Sequence, residues 1–130
     1  MSGRAAAAQA LVEFALAIAV FMLLVLGTFD LARAYLAYTV VSNASREAAR
    51  YGAAHAGESN WQTAATQAGK NLAVGVDQSS LSLTVGNTSM DALPYITVSG
   101  TYQFHSLTPF VGALLGDPIT IRVDTSELAG

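Results

Sequence analysis

Hydrophobic and polar positions divide this chain into three stretches with different periods. From Gln9 to Phe29 it is uncharged except for Glu13, over about the 20 residues that a helix needs to cross a bilayer. No proline occurs between Ala5 and Ala56, and alanine and leucine dominate there, so one long helix is predicted over about those residues. Its first half is apolar all round. Its second half is amphipathic, with Leu31, Tyr35, Tyr38, Ser42, Ser45 and Ala48 spaced by three or four along one stripe. Asp30/Arg33 and Glu47/Arg50, each at i,i+3, read as pairs on a solvated face.

Residues 55–60, His-Ala-Gly-Glu-Ser-Asn, break the helix. Ser59 with Gln62 has the spacing of a capping box and opens a second helix, Asn60 to about Val74, with Trp61, Ala65, Ala68 and Leu72 on one face. Beyond Gly75 the period falls to two. Leu81, Leu83 and Val85 alternate, as do Ile96, Val98, Tyr102 and Phe104, and then Ile119, Ile121 and Val123. Gly86-Asn87, Asp91 to Pro94, and Thr108-Pro109 through Gly116-Asp-Pro118 read as turns and loops. Three strands with one apolar face each need a cover, and the two helices offer one. The expected fold is therefore α+β, with a long N-terminal helix, a second helix and a small antiparallel sheet of about three strands packed on the helix.

Charge and candidate chemistry narrow the function classes. The 6 basic and 9 acidic residues include no basic stripe, so nucleic acid is not an expected partner. With no cysteine, disulfides, thiolate metal sites and cysteine catalysis are all excluded. His55 and His105 each lack a second ligand at i+3 or i+4, so no metal site is expected. No serine sits in a G-x-S-x-G elbow, and Gly69-Lys70 lacks the spacing of a phosphate loop. Asp117 and Asp124 bracket a short strand and read as turn and strand-edge residues rather than an acid–base pair. Neither catalytic residues nor a cofactor are expected. Asn43-Ala-Ser45 and Asn87-Thr-Ser89 fit the short glycosylation pattern.

The apolar run outlasts a secretory h-region of about 7–15 residues and so reads as a retained anchor. Arg4 precedes it, which by the positive-inside rule puts the N-terminus in the cytoplasm. Glu13 is the costly residue, since a carboxylate inside such a segment is penalised by roughly 2.5–3.5 kcal/mol. One reading leaves it just inside the interface with no partner in another chain. The other compensates it with a cation from an adjacent subunit when helices bundle, which makes assembly register-specific.

Ala8-Gln9-Ala-Leu-Val-Glu13-Phe14, the apolar run, and Asp30-Leu-Ala-Arg33-Ala-Tyr35 together resemble the start of TadE-like proteins. These are pilin-like proteins (pseudopilins) of tight-adherence, or Tad/Flp, pilus systems. The likeness continues through Asn43-Ala-Ser-Arg46-Glu47-Ala-Ala-Arg50-Tyr51-Gly52 and reappears in Leu107-Thr-Pro109-Phe-Val-Gly112. The resemblance implies a leader, residues 1–8, cut by a prepilin peptidase between Ala8 and Gln9, with alanine where the family usually carries glycine. It implies a transmembrane and filament-core helix over 9–29, an amphipathic continuation over 30–56 and a globular region over 57–130. Glu13 would set register against the new amine of Gln9 in a neighbour, while Phe14, Leu16, Ile18, Phe21, Leu24 and Phe29 would pack the helix bundle. The implied partners are copies of the chain or other pilins, the assembly machinery, and membrane lipid before assembly. The protein would wait in the inner membrane and end in an extracellular or periplasmic filament. The alternative is a single-pass, membrane-anchored binding or adaptor domain that never polymerises.

Overall fold

The computed structural model describes residues 2–129; Met1 of the expected leader and Gly130 of the globular region lie outside the described residues. Helix α1 runs unbroken over Ser2–Ala54, 53 residues and so about 80 Å at 1.5 Å per residue. It is followed by α2 (Trp61–Leu72), a 3-10 turn (Gln78–Ser80), β1 (Leu81–Met90), β2 (Leu93–Phe104), α3 (Pro109–Leu115) and β3 (Ile119–Leu128). The strands form one antiparallel sheet with β2 in the centre. The expected architecture is present: a long helix, a second helix, and three strands packed against the long one.

Only the C-terminal half of α1 is covered. Ala37, Val41, Ala44, Ala48 and Ala49 are buried against Leu81 and Leu83 of β1 and Ile96 and Val98 of β2. Small side chains make this approach close. A Cβ added at Gly69 of α2 would sit 2.6 Å from the Ala44 carbonyl oxygen and 3.0 Å from the Ala48 Cβ. At Gly100 of β2 it would collide with Ser45 Oγ and lie 2.9 Å from Val41 Cγ1. The two glycines let one helix and one strand reach the same strip of α1.

Several local expectations are corrected. The buried stripe of α1 is Asp30, Ala37, Val41, Ala44 and Ala48, so Leu31, Tyr35 and Tyr38 face outward. Asp30 is not on a solvated face; it is 2% exposed. Gly86-Asn87 is not a turn, because Gly86 pairs with Thr97 and Asn87 with Ile96 inside the β1–β2 ladder. The hairpin closes instead at Asp91 and Ala92, both at positive φ (51° and 65°), the backbone of a two-residue turn whose twist suits the flanking strands. The capping box does not form. Asn60 is the N-cap of α2 at φ 63°, with no side-chain cap bond, whereas a boxed cap is extended. Leu72 is exposed, and Gly69 takes its place on the packed face of α2. The segment from Thr108 to Pro118 is more than a loop. Pro109 opens α3 and Gly116, at φ 87°, closes it, so the supposed loop residues are helix start and stop signals.

Gly100→Ala should destabilise the fold by about 1–3 kcal/mol, as overpacking does. Gly27→Ala, where an added Cβ meets nothing within 4 Å, should leave the domain's unfolding midpoint unchanged. Urea unfolding of the detergent-solubilised chain, followed through the fluorescence of its single tryptophan, Trp61, checks both.

Candidate functional site

The residues singled out in the sequence for assembly all lie on α1. Ala8, Gln9 and Glu13 are exposed, as are Phe14, Leu16, Ile18, Phe21, Leu24 and Phe29. Helical geometry sorts them. Phe14, Ile18, Phe21 and Phe29 follow one another by four, three and eight residues and share one side; Leu24 flanks that side and Leu16 falls away from it. Among the described residues none buries these side chains, although Phe110 and Val111 lie alongside Leu24, and they are too large and too many to be incidental surface. Over this region the chain offers one helix long and apolar enough to cross a membrane.

Where the apolar run ends, the chain builds a polar collar. Asp30 accepts hydrogen bonds from the backbone N–H of Leu107 (2.9 Å) and of Thr108 (2.8 Å). Arg33 pairs with the same carboxylate at 3.3 Å, and its guanidinium lies 5.2 Å from the centre of the Phe104 ring. The Leu107 N–H is the main reason that the Asp30 carboxyl titrates below its ordinary value; burial opposes the shift, while the Thr108 N–H and Arg33 add to it. On the far side of the same loop, His105 Nδ1 lies 3.3 Å from Asp117, and Asp117 also accepts from the Ser106 N–H. The collar therefore closes both ends of residues 106–116, and α3 hangs below it. Phe110 and Val111 of α3 line one groove with Val20, Leu24, Gly27 and Leu31 of α1.

The remaining candidates are dispersed. His55 Nδ1 lies 2.9 Å from the Tyr51 carbonyl and its ring stacks on the Tyr51 ring, whereas His105 is in the collar. Asp124 accepts from Ser99 Oγ at 2.6 Å and pairs with Arg122 on β3, seven residues from Asp117 and so roughly 20 Å along the chain. No group of three metal-ligating side chains occurs among the described residues. Asn43 and Asn87 are both exposed. The residue that the sequence reading misplaced is Asp30. Counting back by three and four from Ala48 through Ala44, Val41 and Ala37 would have led to it.

This assembly defines a class: a small α+β domain carried on a single long helix whose apolar half is largely exposed. Residues 8–50 match the family model described as TadE-like protein, which corresponds to the resemblance in the N-terminal blocks. The match begins at Ala8, takes in the apolar half of α1, Asp30 and Arg33, and ends at Arg50; residues 51–130 lie beyond it. No curated protein and no solved structure matches the chain.

Asp30→Ala strands the buried N–H of Thr108 without an acceptor, a loss of roughly 1–3 kcal/mol. A carboxylate with a depressed folded pKa stabilises the fold at all pH values above its ordinary one and loses that contribution as pH falls through the lower folded value. Denaturant titrations across acid pH should therefore show wild type and Asp30→Ala converging at the acid end and separating above the ordinary carboxylate range.

Proposed function

We propose that this chain is a structural, non-catalytic subunit of a Tad-type pilus or pseudopilus. It waits in the inner membrane with its N-terminus in the cytoplasm and its α+β domain outside, and polymerises through α1. The observation that carries this reading is a coincidence of position. The TadE-like match covers the helix half whose large apolar side chains stay exposed among the described residues. In the membrane, lipid covers them. In a filament, neighbouring copies of α1 or other pilins would do so, with Phe14, Ile18, Phe21 and Phe29 as the main packing stripe. Ala10, Ala15, Ala17, Ala19 and Gly27 would allow close helix approach.

In this reading a prepilin peptidase cuts between Ala8 and Gln9. The new α-amino group then compensates Glu13 of an adjacent subunit. An acid left without its partner in an apolar bundle is strongly destabilising, so the pairing fixes the axial register. Residues 9–29 form the filament core, 30–56 its continuation and 57–130 the outer surface.

Glu13→Gln should reduce filament yield by more than about tenfold, the equivalent of about 1.4 kcal/mol, while leaving membrane insertion intact. Mass spectrometry of the native N-terminus should find Gln9 as the first residue. Unchanged filaments from Glu13→Gln would remove the register role. If an unrelated apolar helix in place of 9–29 preserved all activity, the chain would be an anchored adaptor instead.

A further inference from the structure

The collar separates charge from apolar surface at a single level of the molecule. Asp30, Arg33, His105 and Asp117 sit on it, and residues 106–116, enclosed between the last two, contain no charged side chain. Leu107, Phe110, Leu114 and Leu115 of that segment are all exposed, Phe110 at 61% and Leu114 at 71%. In a water-facing loop such a cluster would be a liability. Here it lies beside α1. Phe110 and Val111 share a groove with Val20, Leu24 and Leu31, so α3 reaches down the helix past Asp30. From Asp30 back to Leu24 is about 9 Å at 1.5 Å per residue. That is the depth, ~5–10 Å, at which interfacial helices seat their apolar face.

We propose that residues 106–116, with α3 at their tip, are a second membrane contact, inserting Leu107, Phe110, Leu114 and Leu115 into the bilayer surface on the domain's side of the membrane. This rests on the reading of α1 as a membrane anchor. A bilayer that covers α1 up to Phe29 necessarily reaches α3, because the two share one groove at that level. The occupant is therefore lipid, and the exposed leucines continue the lipid-facing surface of the anchor. The Asp30 clamp on Leu107 and Thr108 fixes the depth of the segment, and the Ser106 N–H bond to Asp117, with His105 alongside, joins its two ends at the waterline. The domain is then held at two points, which restricts its tilt on the membrane.

The chain has no cysteine, so single nitroxide labels can be placed without background. Leu114→Cys and Phe110→Cys, both at exposed positions, are labelled in the full chain and reconstituted at one copy per lipid nanodisc. Leu16→Cys reports the anchor and Ser126→Cys the water-facing sheet. Collision with oxygen, which concentrates in lipid, is compared with collision with a water-soluble nickel complex. The expected result is loss of nickel collisions at 110 and 114, with oxygen collisions like those at 16. Nickel collisions at 114 matching those at 126, while 16 stays lipid-exposed, would overturn the inference and leave the anchor standing. Nickel collisions at 16 would overturn the anchor and the inference with it. Protection at 114 that appears only with several copies per disc would assign the surface to a second copy and overturn the lipid contact.

Discussion

Two hydrogen bonds, from the Leu107 and Thr108 backbone N–H groups to the Asp30 carboxylate, join segments that are 77 and 78 residues apart in the chain. A buried carboxylate is tolerated only with donors around it, and a buried N–H only with an acceptor, so each satisfies the other's requirement. The consequence is positional. The β2–β3 connection is held at the point where the long helix leaves its apolar run, and the sheet is fixed relative to the helix axis from below as well as by the core above.

The core above depends on small residues. Alanines along α1, with Gly69 and Gly100 opposite, bring helix and sheet close enough that Val41, Ile96 and Val98 are fully or nearly fully buried in a small domain. The lower half of α1 has no such cover and carries its bulk outward. One continuous helix thus serves two environments. Its upper half is a component of a packed domain, and its lower half presents a surface suited to lipid or to other helices. The TadE-like match spans the junction between them.

Much of this was legible in the sequence because periodicity is a local property. The apolar run, the change of period after Gly75 and the three alternating strands named the fold class and its order. What was misread depended on contacts between distant residues. Asp30 looked solvated because its neighbour Arg33 offered a simple partner, whereas its stronger partners lie on a loop that only the folded sheet brings near. Gly86-Asn87 has turn chemistry, but the ladder with Thr97 and Ile96 runs through it to a hairpin at Asp91-Ala92. Thr108-Pro109 and Gly116 were recognised as breakers, although seven residues between a proline start and a glycine stop suffice for a helix. Asp30, and not only the Glu13 that stands out in the apolar run, is an acid with a defined place in the fold, held by the Leu107 and Thr108 N–H groups.

Amide hydrogen exchange at Thr108 tests the clamp most directly. At neutral pH the Thr108 N–H should exchange as slowly as the amides of the β2 core, and Asp30→Ala should release it to the rate of an open loop while Val98 stays protected. Fast exchange at Thr108 in the unaltered chain, or slow exchange that survives the loss of Asp30, would contradict the account.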